Sequence, residues 1–82
     1  MTEVELRKKT LEAFCYIFAL NEDEVNDKTG PEDVDTWDSI GHMNLTLYFG
    51  EKFGVQMDVD DEMEMTSFGK IVETIKKYVP CE

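Results

Sequence analysis

No run of apolar residues in this 82-residue chain approaches the ~20 that a membrane-spanning helix requires. The opening residues, Met1-Thr2-Glu3-Val4-Glu5, lack the basic start and apolar stretch of a secretory signal. A cytoplasmic protein is therefore the expectation. Positive charge is also scarce: 8 Lys and Arg face 19 Asp and Glu, a net charge of -11. Such a polyanion disfavours nucleic acid or an anionic membrane as a direct partner, because both are polyanions themselves. It favours basic protein surfaces, approached under electrostatic steering that salt weakens. Cysteine is limited to Cys15, inside an apolar run, and Cys81, the penultimate residue. They form no CxxC pair and have no histidine at ligand spacing, which argues against a zinc site. A disulfide between them stays open, without the sign of secretion that would favour it.

What is present describes one small domain over residues 1–82. A chain of this length buries about 60% of its unfolded surface, enough for one core but not for a deep, lidded catalytic cavity. Acidity alone would fit a disordered chain, but 41% hydrophobic residues and nine aromatics oppose that. Val4, Leu11, Phe14, Cys15 and Phe18, with Leu6, Ala13 and Ile17 beside them, recur at helical spacing and predict a first helix over 3–20. Thr2 followed by Glu5 fits a capping box at its start. Residues 21–38 are rich in turn formers, with only Val25, Val34 and Trp37 able to anchor them to a core. A loop of that length in a compact domain is usually functional.

A second helix is predicted over 39–53. Ile40, Met43, Leu47 and Tyr48 form one apolar seam and Leu45, Phe49 and Phe53 another, which predicts neighbours on two sides. Gly54 is a natural stop. Gly41 and Gly50 cost about 1 kcal/mol each inside a helix relative to alanine, so packing or access reasons are expected for both. Residues 55–66 read as an extended link and one or two helical turns. Ser67 then caps a last helix with Phe68, Ile71, Val72, Ile75 and Val79 as its stripe, ended by Pro80. No segment keeps the alternation of a strand. The fold class is all-α: three main helices, one short helix and a long first loop.

Within this layout Trp37-Asp38-Ser39-Ile40 stands out. It places a hydroxyl flanked by a carboxylate at a helix N-terminus, where free N–H groups and the helix dipole favour a bound anion. Taken alone, Asp38-Ser39 is an ordinary capping pair. The residues that follow, Gly41-His42-Met43-Asn44-Leu45 and then Phe49, Phe53 and Gly54, give it a context. Together they resemble the second helix of the acyl carrier proteins, and the element order resembles that family over nearly the whole chain. The Met65-Thr66-Ser67-Phe68-Gly69 entry to the last helix adds a weaker likeness.

The resemblance implies that Ser39 is esterified with 4'-phosphopantetheine, on which acyl or aminoacyl groups travel as thioesters. It implies that Asp38 helps a phosphopantetheinyl transferase hold its magnesium while coenzyme A is brought to the serine. It also implies that residues beside Ser39 line the acyl chain or touch partner enzymes; Ile40, His42, Met43, Leu47 and Met63 are the candidates. His42 is expected to face solvent. The partners implied are the transferase and the acyl-loading and acyl-accepting enzymes, with basic docking surfaces, around a monomeric carrier that is not itself an enzyme. Carriers of fatty-acid synthesis display carboxylates along the second helix. Here Gly41, Asn44 and Gly50 take those places, Lys52 adds a positive charge and only Glu51 stays acidic, which points to a dedicated carrier in a specialised pathway.

Other readings compete with the carrier. Ser39 and His42 form no hydrolase site that the chain supports, since there is no Gly-x-Ser-x-Gly elbow, oxyanion hole or substrate pocket. Asp58-Val59-Asp60-Asp61-Glu62 fails as a calcium loop, because Met63 and Gly69 fall where glycine and glutamate are needed. A small acidic helical adaptor, binding a basic partner with Ser39 unmodified, is the alternative function.

Overall fold

The computed structural model describes residues 1–80, which contain helices and no strand. Helix α1 spans Glu3–Phe18, α2 Ser39–Phe53, α3 Val59–Met63 and α4 Phe68–Tyr78, with single 3-10 turns at Glu22–Glu24 and Pro31–Asp33. The disulfide considered for Cys15 and Cys81 falls outside the described residues; Cys15 itself is a buried free thiol.

Thr2 caps α1 by accepting the Glu5 N–H at 3.2 Å, and the Glu5 carboxylate meets the Thr2 hydroxyl, also at 3.2 Å. The helix ends two residues before its predicted limit, at Ala19 in the left-handed conformation (φ 54°, ψ 47°). Leu20 N–H then reaches back to the Cys15 carbonyl at 3.0 Å. The inner face is Leu6, Thr10, Ala13, Phe14 and Phe18. Val4, predicted to share that stripe, is 79% exposed. Leu6 holds the inner position instead, because it lies one turn before Thr10 and two before Ala13 and Phe14. Thr10 is tolerated in the core because its hydroxyl donates to the Leu6 carbonyl at 2.7 Å.

Phe14 is the centre of the core. Its ring meets Phe18, Trp37 and Phe68 edge-on at centroid distances of 5.0, 5.4 and 5.4 Å. Leu45, Phe49, Ile71 and Ile75 complete the interior from α2 and α4. All three predicted anchors hold the long loop to this cluster, Val34 and Trp37 buried within it and Val25 half-buried against it. The loop is also clipped to the start of α4: Phe68 N–H donates to the Thr29 carbonyl at 2.8 Å and Gly69 N–H to the Asp27 carbonyl at 3.0 Å. Ser67 takes the Lys70 N–H, so the first three N–H donors of α4 are all satisfied, two by the loop and one by the cap.

The two-seam reading of α2 holds on one side only. Leu45 and Phe49 are core, whereas Ile40, Met43 and Leu47 are exposed at 70, 61 and 60%. No helix covers that seam, because α3 lies beside it and buries none of its own residues. Polar bonds hold α3 in its place. Tyr78 donates its hydroxyl to Asp61 and accepts the Asp58 N–H, and Lys77 reaches Asp61 at 3.1 Å. Buried Met57 and Met65 anchor the chain on either side of it.

Candidate functional site

The site is the start of α2. Asp38 is extended and its Oδ1 accepts the Gly41 N–H at 2.8 Å, while its own carbonyl takes the His42 N–H at 2.8 Å. That cap sets Ser39 as the first helical residue, exposed and with no hydrogen-bond partner among the described residues. Its backbone is fixed by the cap on one side and the helix on the other, so Cβ and the hydroxyl it carries leave the surface from one fixed point.

Gly41 supplies the reason that the loop can close so tightly here. A Cβ at that position would lie 2.0 Å from the Thr36 carbonyl oxygen, closer than any real contact. The chain entering α2 therefore packs its backbone directly on the helix, and only glycine leaves room. Gly50 has a milder version of the same reason: a Cβ there would stand 3.1 Å from the Val55 carbonyl oxygen.

His42 does not face solvent as expected. It is half-buried and bonded at both nitrogens. Trp37 donates its indole N–H to Nδ1 at 3.0 Å. That leaves Nε2 to carry the ring proton, and it donates to the Glu62 carbonyl of α3 at 2.7 Å. The Trp37 and His42 rings are 8° from parallel with centroids 6.2 Å apart, the edge-to-edge arrangement that an in-plane N–H···N bond requires.

An open groove of about 550 Å³ runs beside Ser39, lined by Pro31, Trp37, Asp38, His42, Met63, Met65 and Thr66. Ser39, Asp38, His42 and Met63 are thus brought to one place. Ile40, Met43 and Leu47 are not; they lie exposed along the outer face of α2. Leu47 borders a second groove with Val59 and Met57. No protein-family model and no curated protein matches this chain. The case for its function therefore stands on these residues.

Charge is distributed unevenly around the site. Residues 39–66 carry six carboxylates and one basic residue, Lys52, apart from His42. Of the cations on α1 and α4, Arg7 pairs with Asp27 at 2.6 Å and Lys76 with Glu3 at 2.8 Å, both away from this segment, while Lys77 pairs with Asp61 inside it at 3.1 Å. The Asp58–Glu62 run does not converge on a point: Asp61 turns to Tyr78 and Lys77, while Asp58 and Asp60 are exposed. Hydrogen bonding from Tyr78, then from Lys77, holds the Asp61 carboxyl below the usual carboxylate range. Cys15 is the one thiol among the described residues, and burial, followed by the nearby Glu22 and Glu24 carboxylates, raises its pKa and keeps it protonated.

Three elements of the site escape sequence reasoning. The Trp37–His42 bond, the Glu62 carbonyl and the Pro31–Thr66 side of the groove all depend on how the loop and α3 fold over α2. The available signal was composition: Trp37 and His42 are the sole residues of their kinds, and both sit within four residues of Ser39.

Proposed function

We propose that this chain is a carrier protein, with an acyl-carrier-like helical arrangement, whose Ser39 hydroxyl is the attachment point for 4'-phosphopantetheine. The observation that carries this reading is Ser39 itself: exposed, without a hydrogen bond, and first in a 15-residue helix capped by Asp38. The residues fit the group. The hydroxyl is open to a transferase, the helix N-terminus favours the phosphodiester charge, and the adjoining groove is partly apolar through Met63 and Met65. When bound, the arm supplies a terminal thiol that holds acyl or aminoacyl groups as thioesters.

The chain's own residues do the rest. Ser39 Oγ forms the bond to phosphorus as the pyrophosphate linkage of coenzyme A breaks; its proton passes to the transferase and the adenosine bisphosphate leaves. Asp38 caps the helix by accepting the Gly41 N–H through Oδ1, and its second carboxylate oxygen would be available to the magnesium that the transferase brings. Ile40, Met43 and Leu47, next to carboxylates of residues 51–64, form an apolar face with an acidic border for basic partner enzymes. The sparse charge on α2 itself favours a dedicated carrier in a specialised pathway over one serving fatty-acid synthesis.

Incubation with a broad-specificity phosphopantetheinyl transferase and coenzyme A tests this. Intact mass should rise by one phosphopantetheine, and Ser39→Ala should abolish the rise. An unmodified wild-type chain, or an adduct that persists in Ser39→Ala, overturns the reading. The exposed α2 face also suits an adaptor that binds a basic partner without modification. In that case Ser39→Ala retains full biological activity, whereas the carrier loses it.

A further inference from the structure

We propose that His42 is a positioning residue, a strut that holds α3 against α2 and so fixes the Met63 wall of the groove beside Ser39; the role assigned to that groove rests on the carrier reading. Helix α3 has five residues and buries none of them. It therefore has no apolar face of its own to keep it in place, and a helix this short does not persist unaided. Polar attachments have to hold it. On the α4 side these are Tyr78 and Lys77, both bonded to Asp61. On the α2 side the attachment is His42 Nε2–H to the Glu62 carbonyl at 2.7 Å, shorter than the bond that the same carbonyl accepts from Met65 N–H at 3.3 Å.

The imidazole is itself fixed from behind. The indole N–H of Trp37, a 4% exposed core residue, occupies Nδ1 and so selects the tautomer with its proton on Nε2, aimed at α3. The chain of contacts runs from the core through Trp37 and His42 to Glu62, and the next residue is Met63, which lines the groove with Ser39. Removing the strut leaves α3 with its α4-side bonds and the flanking Met57 and Met65 anchors but no bond to α2, and lets the groove widen.

Three substitutions separate the two bonds. His42→Asn places an amide oxygen near the Nδ1 position and keeps the Trp37 bond alone. His42→Gln places an amide N–H near the Nε2 position and keeps the Glu62 bond alone. His42→Phe keeps the ring volume and loses both. The Trp37 indole N–H resonance reports the first bond, and amide exchange at Glu62 and Met65 reports the second. Neither readout needs a prosthetic group, so failure of the strut and failure of the carrier reading are distinguishable.

The indole resonance should stay near its wild-type position in His42→Asn and move upfield in His42→Gln and His42→Phe. Exchange at Glu62 and Met65 should accelerate roughly three- to tenfold in His42→Asn and His42→Phe, the range expected for one lost hydrogen bond, and remain near wild type in His42→Gln. Equal α3 exchange in all four proteins overturns the proposal, as does acceleration in His42→Gln equal to that in His42→Asn. If His42→Phe does not fold, the Asn and Gln variants, each retaining one bond, decide the matter.

Discussion

Gly41 packs against the carbonyl of Thr36 so closely that a β-carbon would stand 2.0 Å from the oxygen. The contact ties the last turn of the loop to the helix that presents Ser39. Gly41→Ala gains about 1 kcal/mol of helix propensity. Against this it forces the backbone apart, with an overpacking cost of about 1–3 kcal/mol and the loss of the seated loop besides. The expected result is a net destabilisation of about 1–2 kcal/mol, read as a lower denaturant midpoint. If Ser39 is the proposed attachment point, its modification by a transferase should slow in parallel, since the cap from Asp38 to the Gly41 N–H is displaced too. A variant more stable than wild type would show that Thr36 can move away freely.

Ala19 makes the opposite case. It ends α1 at φ 54°, the sole non-glycine residue with positive φ among those described, at a position that glycine occupies without strain. An L-residue there costs about 1–2 kcal/mol, and glycine returns part of that gain through its more flexible unfolded state. Ala19→Gly should stabilise the protein by about 0.5–1 kcal/mol, a rise of several degrees in melting temperature for a domain of this size. Calorimetry on the two proteins at matched concentration checks the sign.

These two positions also mark what was legible in the sequence. The bounds of α2, the start of α4, the caps at Thr2, Asp38 and Ser67, and the Gly54 stop follow from local signals, because propensity and capping act over a few residues; Val79, expected on the α4 stripe, is instead its extended C-cap. The exposure of Ile40, Met43 and Leu47 was not legible. Periodicity shows that a seam is apolar and says nothing of whether another helix covers it, and α3 is too short and polar to do so. The bonding of His42 was hidden for a related reason: both of its partners come from other segments, one of them a backbone carbonyl that has no sequence signature. The exposed hydroxyl of Ser39 was inferred from its place beside Asp38, and the fold provides the groove that the sequence could not.

The clamp on the α4 side of α3 should be sensitive at both ends of the pH range. Tyr78 and then Lys77 hydrogen bonds hold the Asp61 carboxyl below its ordinary value. Its contribution to folding is therefore complete above the unfolded value near 4 and is lost as pH falls through the lower folded-state value. The Asp61 hydrogen bond raises both the Tyr78 phenol and the Lys77 ammonium. Their contribution is present below about 10 and is lost as pH rises through the raised values. Protection factors of the α3 amides, with the intrinsic exchange rate at each pH divided out, should thus fall in acid and again in alkali relative to neutral pH. Tyr78→Phe should remove most of the acid-side change, because it deletes the bonds to Asp61 and Asp58 together.

The exposed face of α2 gives the sharpest separation of stability from recognition. Met43 and Leu47 are mostly in solvent, so Met43→Ser and Leu47→Ser remove little burial, and each should change stability by no more than about 0.5 kcal/mol. If partners dock there, the same substitutions raise KM for transferase modification of Ser39 while leaving kcat near wild type, since Ser39 and its cap are untouched. Replacing both side chains should compound the loss, and Lys52→Glu should lower KM against a basic docking surface, most visibly at low ionic strength. Buried Leu45, two residues from each of them on the opposite side of the helix, provides the contrast: Leu45→Ala leaves a cavity and should cost about 2–5 kcal/mol of stability. A KM unchanged in the Met43→Ser, Leu47→Ser double variant would mean that the transferase approaches Ser39 from another side, across the Pro31–Thr66 edge of the groove.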